Sequence, residues 1–391
     1  MFLFNKYRNS RQEFSTGSLE PQIKWKRFLN TNPAYGAEST AVMDTEGNLY
    51  FGSHSGNFYS LDHNGNNRWT FTTKEKIYSS PLLLEDKVYF AGGDGYFYCL
   101  NLEGELQWFK DLSQQKGRWK NSRRLSLITH FPFTYDLQKR RNIIYRSWSS
   151  PNYTQGKIYI TAYGIGLHCF SPEGKLLWDF DLGFPRYQLS GVAIDENDQI
   201  YCASRRGYAF SFSHDGLLNW KRKIKLFWEP WGNPVVCTIN KTAFYFFAKG
   251  EKKGLLCALD YRGNIKWIKP TGAIRGSCAI SRDGAYIYHC DLQGFIHKLN
   301  ALDGTTLVEK KLTNTSRGLW ITPTLDKEGN ILLSTKDGKF KGRLIKLSPD
   351  LEIIWQFYNN KILSVPIINE RGDIFLGSWD GCYYSLKTYH S

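Results

Sequence analysis

The side chains best equipped for chemistry fall into three groups. The first is a basic stretch at 113–147, SQQKGRWKNSRRLSLITHFPFTYDLQKRRNIIYRS, with nine Lys or Arg against one acid, Asp136. Arg118, Lys120, Arg123, Arg124, Lys139, Arg140 and Arg141 are its candidate partner-binding residues, because charge of one sign gathered on one segment attracts anions. The second group recurs at a fixed register. Tyr78, Trp148, Trp231 and Trp320 each stand three residues before an apolar run opening on Pro81, Pro151, Pro234 or Pro323. Arg275 holds the same place before Cys278, and Arg146, Arg186 and Arg317 lie close to the register. Aromatic faces stack on bases, sugars or side chains, and arginine meets carboxylate or phosphate, so these eight are candidate ligand-binding residues. The third group is two carboxylates near that register, Glu38 and Glu229, the candidates for a general acid or base.

Other constellations carry no such signal. The eight histidines show no metal-ligand spacing. His289-Cys290-Asp291 sits in an alternating strand, where neighbours point to opposite faces. The eight cysteines form no CxxC pair, and Cys99, Cys169 and Cys257 recur at one place in a repeated pattern, which suits buried thiols better than zinc ligands. Asp62-His63-Asn64-Gly65-Asn66-Asn67 reads as a hairpin turn. No G-x-S-x-G or phosphate loop occurs. The sequence therefore predicts no metal and no cofactor.

The chain has 391 residues, with 51 Lys or Arg against 36 Asp or Glu, a formal charge of +15. Aromatics make up 16%, which excludes a disordered chain. No apolar run approaches the roughly 20 residues a membrane helix needs. Met1–Ser10 shows no apolar export core and no lipobox-like cysteine, so the expected compartment is the cytoplasm, with thiols reduced. Residues 1–17 read as a flexible tail.

The positioning elements emerge from a repeat. SPLLLEDKVYFAGGDGYFYCLNLEGELQWFKDL, residues 80–112, reads as four short strands separated by Gly/Asp turns, one blade of a propeller. The glycine that opens each third strand recurs as Gly56, Gly95, Gly166, Gly207, Gly254, Gly294, Gly342 and Gly381. A fourth-strand tryptophan recurs as Trp69, Trp108, Trp178, Trp220, Trp267 and Trp355, with Val308 in that place once. The last repeat lacks this strand, while Trp25 lies in one that no repeat precedes. The arithmetic predicts an all-β, single eight-bladed propeller over 18–391, its carboxyl-terminal blade closed by the Trp25 strand and its basic insertion at 113–147.

Leu61-Asp62 to Trp69 and Leu259-Asp260 to Trp267 match the A/L-D-x-x-G-x-x-x-W pattern, and the repeats over roughly 20–388 resemble the pyrroloquinoline-quinone (PQQ) type. Trp178-Asp179 and Trp379-Asp380 are WD dipeptides, but neither sits where a WD40 repeat places them. The resemblance implies either a quinoprotein dehydrogenase or a stand-alone scaffold similar to BamB. The dehydrogenases carry a disulfide between adjacent cysteines, a calcium site and a catalytic Asp over the propeller axis. No adjacent cysteine pair occurs here, and no calcium or catalytic residue can be carried over by motif.

Blade topology then sorts the loops onto two faces. First-to-second and third-to-fourth turns share a bottom face rich in Asp and Glu, as tight turns favour. Fourth-to-first connections and second-to-third turns share a top face, which gathers the insertion, Arg205, Arg206, Lys249, Lys252, Lys253, Lys336, Lys339 and Lys341. The expected function is a non-catalytic binding scaffold whose basic, aromatic top meets an acidic protein segment. Nucleic acid fits that charge less well, and the alternative is an enzyme acting in an axial top pocket on an anionic small molecule or peptide.

Overall fold

The computed structural model describes residues 6–8, 10–29, 36–112, 149–162, 166–180, 190–204, 206–226, 228–315, 319–338, 341–359 and 364–389. Among them every regular element is a strand. The strands form eight antiparallel sheets, one per repeat, arranged as an eight-bladed propeller. Blade 1 runs Val42–Met43, Leu49–Gly52, Asn57–Leu61 and Asn67–Thr72 from axis to rim. Its second and third strands are almost wholly buried while the fourth is half-exposed, because a neighbouring blade covers each face of the inner strands. Blade 5 carries one extra short strand, Glu229–Pro230, paired with Phe247 and Ala248.

The ring closes as the repeat arithmetic requires. Gln22–Phe28 pairs with Cys382–Lys387, from Gln22 against Lys387 to Phe28 against Cys382. One chain end thereby completes the blade begun by the other, leaving no seam of unpaired edges.

Adjacent blades are joined near the bottom by the repeated tryptophan. The indole N–H donates to a carbonyl in the next blade's third-to-fourth turn, as from Trp69 to Leu102 at 2.7 Å, Trp108 to Pro172 at 3.0 Å and Trp220 to Tyr261 at 2.9 Å, while Trp355 donates to Gly17 O at 3.2 Å, on the segment that leads into the closing strand. The turn glycine lies flat on the ring. A Cβ on Gly104, whose φ is +89°, would come within 2.5 Å of Trp69. Blade 6 departs from this, and its neighbour compensates. Val308 replaces the indole, and Leu351, fully buried at φ +67°, replaces the facing glycine. Both pack into one apolar cluster, so volume lost on one side is regained on the other.

Around the axis a polar ring holds the blades. The Thr40 N–H donates to Ser80 Oγ, Ser80 N–H to Ser150 Oγ, Gly191 N–H to Asn233 Oδ1, Asn233 N–H to Ser277 Oγ, and Ser277 N–H to Thr322 Oγ1, all within 2.8–3.0 Å. These residues stand two places before the first strands, a recurrence carried in the sequence itself.

The amino-terminal segment is not the free tail expected. Residues 6–8 and 10–17 run as a strap across the bottom of the axis, against the first strands of blades 3 to 8. The N–H groups of Ile194, Val236 and Leu325 donate to the carbonyls of Lys6, Tyr7 and Ser10, each at 2.9 Å. Gln12 N–H donates to Leu325 O at 2.8 Å. Ser10 Oγ reaches Pro323 O, Arg11 Nε reaches Ile280 O, and the Gln12 amide bonds both Pro366 O and Ile368 N–H. Arg8 is fully buried and donates to the carbonyls of Val192 and Ser150. The physical reason is an edge. The innermost strand of each blade presents unpaired N–H and C=O groups to the axis, and buried backbone groups need partners. Buried Lys346 fixes the far end, donating to Thr16 O at 2.8 Å and Gly17 O at 3.2 Å beside Asp326.

Candidate functional site at the top of the axis

The bottom-face acids are consumed by local structure. Asp62 Oδ1 accepts the N–H groups of Asn64 and Asn66, and Asp260 does the same for Arg262 and Asn264. Partial burial pushes these two carboxyls up, but the bonds from the turn outweigh it and hold them below their ordinary value. Lys6, Lys24 and Lys157 pair with Asp198, Asp373 and Asp215 within 2.8 Å.

At the top, the side chains meet one another. Trp231, Arg275 and Trp320, far apart in sequence, converge. The Arg275 guanidinium lies 4.0 Å from the Trp231 ring centroid and 4.8 Å from that of Trp320. The backbone explains the approach. A Cβ on Gly232 would fall 2.2 Å from Gly276 O, and one on Gly276 would fall 2.5 Å from Ile321 O. Adjacent connections therefore run as close as glycine permits, and each carries its residue of the register just before the contact. Arg275 is held between aromatic faces, with Glu251 Oε1 at 3.7 Å.

A second cluster gathers Glu38 and Tyr78. His54 Nε2 bonds Glu38 Oε2 at 3.0 Å, and the imidazole lies 4.6 Å from Tyr78 and 6.1 Å from Trp379, centroid to centroid. Glu229 lies on the extra strand of blade 5, two residues before Trp231. Arg146, Trp148, Arg186 and Arg317 lie outside the described residues, as do Arg118, Lys120, Arg123, Arg124, Lys139, Arg140 and Arg141.

Beside Arg275, between blades 5 and 6, a cleft of about 780 Å³ opens, with Glu251, Lys252, Asp291, Gln293, His297, Glu309 and Lys311 among its lining. His297 Nε2 is 3.1 Å from Asp291 and its Nδ1 is 3.5 Å from Glu309. Its ring stacks on buried His289 at 4.6 Å. Burial, and then the neighbouring His297, pushes His289 well below the usual histidine range, so it is neutral. The cleft and His54 were missed from the sequence. The signal available was the second-to-third turn of each blade, whose residues at 54, 251 and 291–293 all face the top.

The fold and this arrangement define a PQQ-type repeat propeller. The chain belongs to the family described as outer membrane protein assembly factor BamB, whose model matches residues 12–242. No curated protein sequence matches the chain. Among solved structures it is similar to BamB from Moraxella catarrhalis, at 13% identity and TM-score 0.68, covering 95% of this chain and 99% of that one. It is similar also to a europium-containing methanol dehydrogenase, at 12% identity and TM-score 0.71, covering 97% and 90%. A quinohemoprotein alcohol dehydrogenase from Pseudomonas putida aligns at 12% identity and TM-score 0.74, covering 98% and 79%.

The dehydrogenase resemblance raises the question of a metal–quinone pair. Among the described residues, no group of three or more His, Cys, Asp or Glu side chains is placed to hold a metal ion. All eight cysteines are separate, buried thiols, not a disulfide of adjacent residues. The described residues do not fit such a pair.

Proposed function

We propose that the protein is a non-catalytic binding scaffold whose top face receives an acidic segment of a protein partner. The observation that carries this reading is the Trp231–Arg275–Trp320 stack. A guanidinium ordered between two ring faces is prepared to meet a carboxylate, and the rings supply apolar contact around it. Membership of a family named for assembly supports a protein partner over a small molecule. In this reading the charges of Arg118, Lys120, Arg123, Arg124, Lys139, Arg140 and Arg141 add to the attraction for an anionic partner.

The test is fluorescence anisotropy with a labelled, end-capped peptide that carries Glu in a Gly/Ser frame. Trp231→Ala and Arg275→Ala should each weaken binding by about tenfold, the loss of one charge-assisted or stacking contact. Unchanged affinity in both variants would remove the mouth from the account. A labelled oligonucleotide bound more tightly than the peptide, with a steep salt dependence, would replace the partner class. One observation favours the alternative reading: the Glu38–His54 pair beside Tyr78 is a carboxylate–imidazole unit of the kind that moves protons. That reading requires turnover of an anionic substrate that Glu38→Gln abolishes.

A further inference from the structure

The cleft between blades 5 and 6 adds a condition to that reading, on which this inference rests. Its floor presents acceptors. Gln293 Oε1 is buried without a hydrogen-bond partner, while the same side chain's Nε2 donates to Glu251 O at 3.0 Å. Gly272 lies beneath: a Cβ there would come within 1.9 Å of Gln293 Oε1 and 2.5 Å of Asp291 Oδ2. Two side-chain oxygens thus converge over a glycine; Asp291 Oδ2 already meets His297 Nε2 at 3.1 Å, so Gln293 Oε1 is the one that a donor-bearing ligand group would satisfy. Glu309 stands on one wall and Glu251 on another, both well exposed. His297 bonds Asp291 through Nε2 at 3.1 Å, and its Nδ1 faces Glu309 at 3.5 Å. Lys252 and Lys311 stand at the same cleft, both exposed, and offer donors of their own.

Glu251 links this cleft to the mouth, because it lines the one and lies 3.7 Å from Arg275 in the other. We propose that the cleft is a subsite for a cationic side chain, an ammonium or guanidinium, of the same partner segment whose carboxylate reaches Arg275. The partner's acid takes Glu251's place on Arg275. Glu251 then turns to the incoming cation, which also satisfies Gln293 Oε1. Both charges stay paired through the exchange, which a purely acidic segment could not achieve: it would leave Glu251 displaced beside a second carboxylate. In an extended peptide, residues i and i+2 share a face and lie about 7 Å apart. The recognised pattern is therefore an acid and a base two residues apart.

Three end-capped peptides, identical except for one residue, test this on the full chain: Glu-Ser-Lys, Glu-Ser-Gln and Glu-Ser-Glu in a Gly/Ser frame. Glu-Ser-Lys should bind about three- to tenfold more tightly than Glu-Ser-Gln, the range for a partly exposed ion pair with a charge-assisted bond, and Glu-Ser-Glu should bind most weakly. In Glu251→Gln and Glu309→Gln, both at exposed positions, the preference for Lys over Gln should fall towards unity while Glu-Ser-Gln keeps its affinity or gains. Equal binding of all three peptides, or tightest binding of Glu-Ser-Glu, overturns the cation subsite while leaving the acid-binding mouth intact. Binding of none of them overturns both. A Lys preference that survives both substitutions assigns the cation elsewhere and equally overturns the proposal.

Discussion

The two ends of the propeller axis are built from similar residue types and use them oppositely. At the bottom of the axis, the strap is held chiefly through backbone, with Lys6–Asp198 among its side-chain ion pairs. Arg8 holds the carbonyls of Ser150 and Val192, Gln12 holds Pro366 and Ile368, and Lys346 holds Thr16 and Gly17. At the top, side chains bind side chains: Arg275 lies against Trp231 and Trp320, Glu38 against His54, and His297 against Asp291. Main-chain partners cannot be exchanged without unfolding, whereas side-chain partners can rotate away and be replaced. The difference separates an end that maintains the ring from an end suited to exchange partners.

Removing residues 1–16 is the strongest challenge to this contrast. It strips the inner strands of blades 4, 5 and 7 of backbone partners, takes Thr16 O from Lys346 and Phe14 O from the Lys327 N–H, and spares the closing strand Gln22–Phe28. At about 1 kcal/mol per buried hydrogen bond, the loss should lower the melting temperature by roughly 10 °C or more. Near-UV circular dichroism would show it. A melt within about 1 °C of the intact chain would mean that the strap is dispensable and that the two ends are not distinct.

The blade 6–7 interface provides a sharper test of the packing. Val308→Trp alone should destabilise by about 1–3 kcal/mol, since Leu351 fills the space an indole needs. Leu351→Gly alone should cost about 2–4 kcal/mol for the cavity, offset by about 1 kcal/mol because glycine suits the left-handed backbone. The double variant recreates the pairing of the other interfaces, so it should recover most of the loss. Denaturant titration gives the coupling energy, and strict additivity would contradict the volume exchange.

The smallest effect concerns Arg8. Burial lowers its guanidinium pKa from the ordinary arginine value to about 9. The folded state therefore holds fewer protons than the unfolded state between those values, and stability rises with pH there. The penalty is complete below about pH 9. The stability of wild type relative to Arg8→Met should accordingly climb above pH 9 and stay flat between pH 6 and 8. A difference that falls above pH 9 would contradict the assignment.

The architecture was legible because each blade repeats the same demands. Gly104 must lie on Trp69, Gly174 on Trp108, and the sequence repeats glycine and tryptophan at that spacing. Even the exception, Val308, was visible, though its partner Leu351 was not, since a leucine in place of a glycine is silent until the two are seen to touch. The strap left no trace in the pattern. Lys6 to Gly17 serve six different blades in turn, so no two side chains have the same task and no periodicity arises. The register that singled out Trp231, Arg275 and Trp320 picks three adjacent connections whose side chains meet. It could not show that Gly232 and Gly276 would bring them into contact, nor that Glu251 and His54 would join from turns of a different register.

Hydrogen–deuterium exchange of the full chain with and without a saturating Glu-Ser-Lys peptide tests the central claim most directly. The account predicts slowed exchange in 228–233, 249–254, 272–277 and 319–322, with 6–8 and 10–17 unchanged. Protection confined to the strap and the bottom turns, with the top connections unaltered, would contradict it.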